Sequence, residues 1–346
     1  MRRAYAYTLL IVLLWGVSLV TNKALLLAER GGEKLTPLEV AFWGIAVGWV
    51  ALLLVVAARG KLPRVRDVAP RGWAALVAMG LFGWAGYTVA LNFAFTRLPL
   101  PDAIIINYLH PVFVVLFQGA AFGSAARAIT GWEQAGGPAR RPGPARLAVG
   151  LLLCLLGVAV IATGGQLAAL GRSRSAAGAL AALFAAFAWG VYSNLGRFVT
   201  PRAGREMAVT SDLRSFLAMT FGLAMLGAGA GFAGGLKVPG GFRVPLYLGP
   251  WGPAPAGAWE LIAVLGIAVY CASFTLWLCA LELGARHGEA HKLPPLTYLT
   301  PVLGVALGWA VLHESFGPAF WPGAALIAAG NAVNVWPSGR VHPRRV

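Results

Sequence analysis

The chain alternates between long apolar runs and short breaks that carry charge, glycine or proline. Runs of roughly the 18 to 25 residues needed to cross hydrocarbon occur at 5–28, 37–58, 72–96, 102–124, 146–164, 177–199, 207–232, 258–283, 289–313 and 317–336. Lipid offers no partner to a backbone N–H or C=O, so these runs are predicted to be helices whose hydrogen bonds close within the segment. The expected fold class is an all-α integral membrane protein of about ten transmembrane helices.

The same pattern contains a repeat. Tyr108-Leu109-His110-Pro111-Val112 returns as Tyr298-Leu299-Thr300-Pro301-Val302, and Trp15-Gly16-Val17 returns as Trp189-Gly190-Val191. The residue eight after each tryptophan is basic, Lys23 and Arg197. Internal repeats set the architecture before any single element is assigned. They divide the chain into a first five-helix repeat over 1–164, a connection over 165–176, a second five-helix repeat over 177–336 and a basic tail over 337–346. An odd number of crossings inserts the second half upside down, so the halves are predicted to be inverted repeats sharing a cavity near the bilayer midplane.

Composition agrees with a lipid solvent, since 58% hydrophobic and 12% charged residues leave too little polar surface to cover a water-soluble core. The formal net charge of +16 matters through its placement. Arg2, Arg3, the group from Arg59 to Arg71, Arg127, Arg140, Arg141, Arg146, Arg202, Arg205, Arg286, Lys292 and the tail arginines fall on one side of the predicted topology. Arg30, Lys34, Arg97, Arg172, Arg174, Lys237 and Arg243 fall on the other. The positive-inside rule then places both termini in the cytoplasm, and the protein is expected as a multi-pass component of the cell (inner) membrane. No soluble domain is present to track phosphates, which excludes nucleic acid as a partner.

Met1-Arg2-Arg3 before an apolar run imitates a signal peptide. No small-x-small cleavage site closes the run and the repeat includes it, so a retained first span is predicted. Cys154, Cys271 and Cys279 lie inside apolar spans, which supports neither a disulfide framework nor a zinc site. No phosphate loop, His-Glu-x-x-His or nucleophile elbow occurs, so no catalytic residue, metal or cofactor is expected, and the protein is read as no enzyme. The connections 125–145 and 233–257, rich in glycine and proline, are expected to be flexible surface loops.

The candidate chemistry lies inside the spans. Proline removes a donor and clashes with the carbonyl four residues back, so Pro111 is expected to free the carbonyl of Asn107, and Pro301 that of Thr297. Both prolines read as gating breaks, or as kinks that improve packing. Asn107, His110, Pro111, Val114 and Gln118 share one helical face, as do Thr297, Thr300, Pro301, Gly304 and Gly308. Polar groups on such a stripe must face protein or water, as cavity walls or as bonds to neighbouring helices. Trp15, Ser18 and Asn22 on the first span correspond to Trp189, Tyr192 and Gly196 on the sixth. The third and eighth spans add Tyr87 and Asn92, with Trp84 and Thr88, and Tyr270 and Trp277, with Ser273 and Phe274. Gly44 with Gly48, and Gly304 with Gly308, have the small-xxx-small spacing of close helix contacts.

Lys23 and Arg197 sit near span ends, where they snorkel to water or meet a carboxylate of substrate or protein. Glu39, Asp102 and Glu289, with Asp212 and Glu282, are the candidate acids, and His110 titrates nearest neutrality. Protons are therefore a possible coupling ion, although these acids also read as solvated interface charges. Asp212 and Arg214 are placed to pair with each other or with inner phosphates.

Taken in order, Leu14-Trp15-Gly16, Ala188-Trp189-Gly190, Ala94, Ala280, the two Leu-x-Pro-Val copies, then Gly304, Gly308, His313-Glu314, Gly323, Ile327 and Gly330 resemble a known family. It is the EamA-type, ten-span branch of the drug/metabolite transporter superfamily, and the resemblance covers 5–336. It implies export or exchange of a small metabolite, an amino acid or related organic solute, by alternating access on a proton or substrate gradient. Ser124 stands where the second copy has Glu314, and Trp43 about where it has Arg214. A sugar-phosphate or nucleotide-sugar antiporter is the alternative within transport, and needs several converging cations where only Lys23, Arg197 and Arg214 are available. A non-transporting scaffold or sensor and a membrane-embedded enzyme are the alternatives outside it. The working unit is expected to be a monomer or homodimer with lipid and a small-molecule substrate as its partners.

Overall fold

The computed structural model describes residues 1–98, 100–117, 144–169, 175–199, 209–247, 253–303 and 317–335. The first half contains α1 (Arg2–Leu26), α2 (Pro37–Ala58), α3 (Pro70–Arg97), α4 (Leu100–Asn107), α5 (His110–Leu116) and α6 (Pro144–Ala162). The second contains α7 (Ala176–Leu195), α8 (Ser211–Phe232), α9 (Ala258–Arg286) and α10 (Phe320–Val335). Among the described residues six helices are long and apolar enough to cross a membrane: α1, α2, α3, α7 with its last turn to Phe198, α8 and α9. The N-terminal helix is one of them and packs on α9.

Helix contacts repeat across the halves. α3 packs on α7 as α1 packs on α9, and α2 packs on α9 as α8 packs on α3. Exchanging each first-half helix for its second-half counterpart therefore reproduces the contact pattern. The self-paired contacts run antiparallel. Phe42 meets Gly227, Trp49 donates to Thr220 Oγ1 at 2.8 Å, and Arg59 reaches Asp212, so numbers rise along α2 as they fall along α8. In α6 and α10, Gly157 lies against Gly323 and Ile327, while Gly150 lies against Asn334.

Glycine brings these backbones together. A Cβ on Gly48 would sit 2.7 Å from Gly266 O, beside Tyr270, and one on Gly222 would sit 3.0 Å from Gly80 O, beside Trp84. Gly48 and Gly222 are thus equivalent, which places Val40, not Trp43, opposite Arg214. Both partner helices carry a π-helical segment at this contact, Gly80–Gly86 in α3 and Leu265–Ser273 in α9. Such segments re-aim the side chains that follow and are frequent at functional sites. The Gly44 and Gly48 spacing serves this contact, while Gly304 and Gly308 lie outside the described residues.

At the two repeated proline motifs the chain breaks outright. α4 ends at Asn107, Tyr108 and Leu109 form a turn, and α5 restarts with Pro111 in its first turn. In the second half a 3₁₀ turn over Pro294–Tyr298 precedes helix that resumes at Leu299, with Pro301 again in the first turn. Each proline sits where its missing N–H has no helical partner to lose. A restart, rather than a kink in a continuous helix, is the result, and Tyr108 and Tyr298 approach to 6.0 Å between ring centroids at the pair of breaks.

Within the 233–257 connection, expected to be a flexible loop, residues 243–247 and 253–257 pair as strands. β1 (Glu29–Arg30) and β2 (Glu33–Lys34) pair with each other, β3 (Arg243–Tyr247) and β4 (Pro253–Gly257) do the same, and β1 on β3 joins them in a four-stranded antiparallel sheet. Arg30 covers the Phe242 ring at 4.8 Å and donates to Gly240 O at 2.9 Å. Backbone groups of two separate connections satisfy each other here, a non-local pairing that glycine and proline content does not reveal. The sheet marks one end of the helix bundle. Loop 125–143 lies outside the described residues.

Candidate functional site

A cavity of about 50 Å³ lies between the halves, displaced toward the sheet end. Its walls are Trp15, Ser18, Leu19 and Asn22 of α1; Tyr87, Thr88, Leu91, Asn92 and Phe95 of α3; Asn107, Tyr108 and His110 at the first break; Val269, Tyr270 and Phe274 of α9; and Thr300. That is well above the ~10–15 Å³ a cavity needs to hold one water. Among the described residues no Asp, Glu, Lys or Arg lines it.

The aromatic floor is held by specific bonds. Trp15 donates through Nε1 to Ser273 Oγ at 2.9 Å, which pins α1 to the π-helical segment of α9. The same indole stands edge-on to Trp189, with centroids 5.1 Å apart, and near Trp277 at 5.7 Å. Trp189 and Trp277 lie beneath the cavity and do not line it; neither do Tyr192 and Thr297, and all four are buried. Trp277 donates to Ser193 Oγ at 2.9 Å, closing α9 onto α7. The repeat explains this layering. A shift of 174 carries Ser18 to Tyr192 and Asn22 to Gly196, and the α3-to-α9 shift of 186 carries Leu91 to Trp277 and Asn92 to Leu278. These counterparts of the cavity wall are buried at the opposite end.

His110 bridges the halves. Its Nδ1 lies 2.9 Å from Asn107 O, the carbonyl that Pro111 leaves free. A carbonyl only accepts, so Nδ1 carries the proton, and Nε2 of the neutral ring is an acceptor. Nε2 faces Thr297 Oγ1 at 3.4 Å, whose hydroxyl already donates to Pro294 O at 2.7 Å. The Thr297 hydroxyl therefore has two acceptors within reach, Pro294 O and His110 Nε2, and can donate to one of them at a time.

Other candidates stand elsewhere. Glu39 completes a capping box with Thr36 at the start of α2 and also accepts from Lys237 N at 2.8 Å. Asp102 is in the first turn of α4, and Glu289 pairs with Lys292 at 2.7 Å; none of the three lines the cavity. Asp212 binds Lys61 at 2.7 Å and Arg59 at 3.0 Å, not Arg214. The antiparallel α2–α8 pair brings the end of α2 to the start of α8, whereas Arg214, one half-turn on, points to Gly196 and Val209 O. Arg197 is held by the Asn194 side chain. The side chain of Lys23, Gln118, Ser124 and Glu314 lie outside the described residues. Reading the stripes omitted Leu19, Leu91, Phe95 and Val269, apolar wall residues with no polar signal, and Tyr108, whose repetition at 298 was the available sign.

A family model for EamA-like transporters matches residues 2–130 and 176–336, one match in each half of the chain. The chain belongs to the EamA-like transporter family. It is accordingly an integral, multi-pass membrane protein, with the long apolar helices such a protein needs. A protein of known crystal structure is 23% identical to this EamA-like chain, with 96% of each covered and a TM-score of 0.65, a likeness of fold. No curated protein matches the sequence.

Proposed function

We propose that the protein is a secondary transporter that exports or exchanges a small organic solute by alternating access. In this reading 1–164 and 177–336 are inverted five-helix repeats joined by 165–176, ten spans in all, with both termini and the 337–346 tail in the cytoplasm. The single observation carrying it is the cavity between the halves, walled by residues among which Ser18, Asn22, Leu91 and Asn92 have repeat counterparts that are buried. Exchanging the conformations of the two halves would open the space around those counterparts and close this cavity. Trp277 bonded to Ser193 is then the closed gate, and His110 with Thr297 is the proton-sensitive contact between the broken helices. A sugar-phosphate antiporter is disfavoured, since converging cations are absent from the described cavity wall.

Counterflow in proteoliposomes, with and without a pH gradient, tests the activity. Saturable flux is expected, and folded protein that moves no solute would remove the reading. Cysteine access tests the mechanism. Ser18→Cys is expected to react from the sheet side, and Ser193→Cys from the opposite side only during turnover. Reaction of both from one side would sink alternating access.

A further inference from the structure

In the polar wall of the cavity Asn22 and Asn92 turn their amide donors to backbone carbonyls, and Asn22 and Asn107 keep an acceptor without a partner. Asn22, 8% exposed, donates Nδ2 to Ser18 O at 3.0 Å, and its Oδ1 holds no hydrogen bond. That carbonyl partner also fixes which end of the amide is nitrogen. Asn107, 5% exposed, has an Oδ1 that likewise holds none. Asn92 sends Nδ2 to Pro37 O at 3.4 Å, and Ser18 donates to Trp15 O at 2.8 Å. Tyrosine and threonine hydroxyls serve as either donor or acceptor, so the amides decide the polarity of the site. It is oxygen-rich.

We infer that the solute is a small amine, whose N–H or ammonium group meets Asn22 and Asn107 and whose carbon part lies against Trp15, Tyr87 and Phe274. This rests on the transport reading and adds the substrate class. A carboxylate or phosphate entering the cavity would lose its water and meet two amide oxygens, an uncompensated desolvation. An ammonium would satisfy both oxygens and be attracted by the surrounding aromatic rings. Since Asp and Glu are absent from the described wall, the attraction is moderate, which suits a solute that must also leave.

Ethylammonium and acetate, of similar size and opposite charge, are the probes, with the full chain in proteoliposomes and in detergent. Ethylammonium is expected to show saturable counterflow and to change tryptophan fluorescence, and acetate to do neither. Asn107→Asp adds a carboxylate of nearly the same shape and is expected to tighten ethylammonium about tenfold. Asn22→Leu is expected to weaken it about tenfold at unchanged Tm. Acetate flux that saturates while ethylammonium does not move, or tighter acetate binding with Asn107→Asp, would overturn the amine assignment and leave transport standing. Ethylammonium binding that responds to both substitutions without any flux would do the reverse, upholding the assignment and removing transport.

Discussion

Gly266→Ala and Gly80→Ala are each expected to lower the Tm of the detergent-solubilised protein by on the order of 5 °C, the equivalent of about 1–3 kcal/mol of overpacking. A methyl on Gly266 would stand 2.7 Å from Gly44 O and 2.8 Å from Gly48 N. One on Gly80 would stand 2.8 Å from both Ala218 O and Gly222 N. The obstacles are backbone atoms of a facing helix, which cannot rotate aside as a side chain does. The neighbouring helix supplies its own control, since nothing lies within 4 Å of a Cβ added at Gly229 or Gly231 in α8. Alanine there relieves the glycine penalty and should be neutral or stabilising by up to about 1 kcal/mol. Equal effects at Gly229 and Gly266 would refute the close packing of α2 on α9.

The second large effect is expected at Asp212. Its carboxylate, 5% exposed, is the only acid described against Lys61, which is 17% exposed, while its other partner Arg59 is 61% exposed. Asp212→Asn leaves the Lys61 ammonium largely buried without a counter-charge, a loss of about 2–3 kcal/mol after discounting for its partial access to water. Arg59→Met removes only the exposed partner and should cost under about 1 kcal/mol. Adding Lys61→Met to Asp212→Asn should recover much of the loss, because the uncompensated charge goes with it. Thermal denaturation of the four proteins decides this. An Asp212→Asn cost no larger than that of Arg59→Met would show the buried pair to be unimportant.

Asp212 also shows how far the sequence could be read. It was a candidate for pairing with Arg214 two residues on, a local inference, but helix geometry sends the two side chains apart and the ion pair forms with a residue 151 positions away. The Glu39 carboxylate behaves likewise. Its capping box with Thr36 follows local spacing, and its bond to Lys237 N does not. The proline motifs were legible because proline acts on its own helix, and the structure places breaks beside both. The stripes around Trp15, Tyr87, Asn107 and Tyr270 were legible as well. What they left open was which members of each stripe line the cavity and which seal it, because both sets of residues have the same chemistry.

The sequence by itself determined that apolar helices cross lipid, that two similar halves make up the chain, and where helices break. Hydropathy, repeat and proline chemistry act within one segment, so each can be read without its neighbours. Only the tertiary structure decided the π-helical segments, the antiparallel glycine contacts, the four-stranded sheet, the partners of Asp212 and the two amide oxygens left without donors. Each of these depends on the register between segments far apart in the chain, which is settled by packing and by the hydrogen bonds that packing leaves unmade.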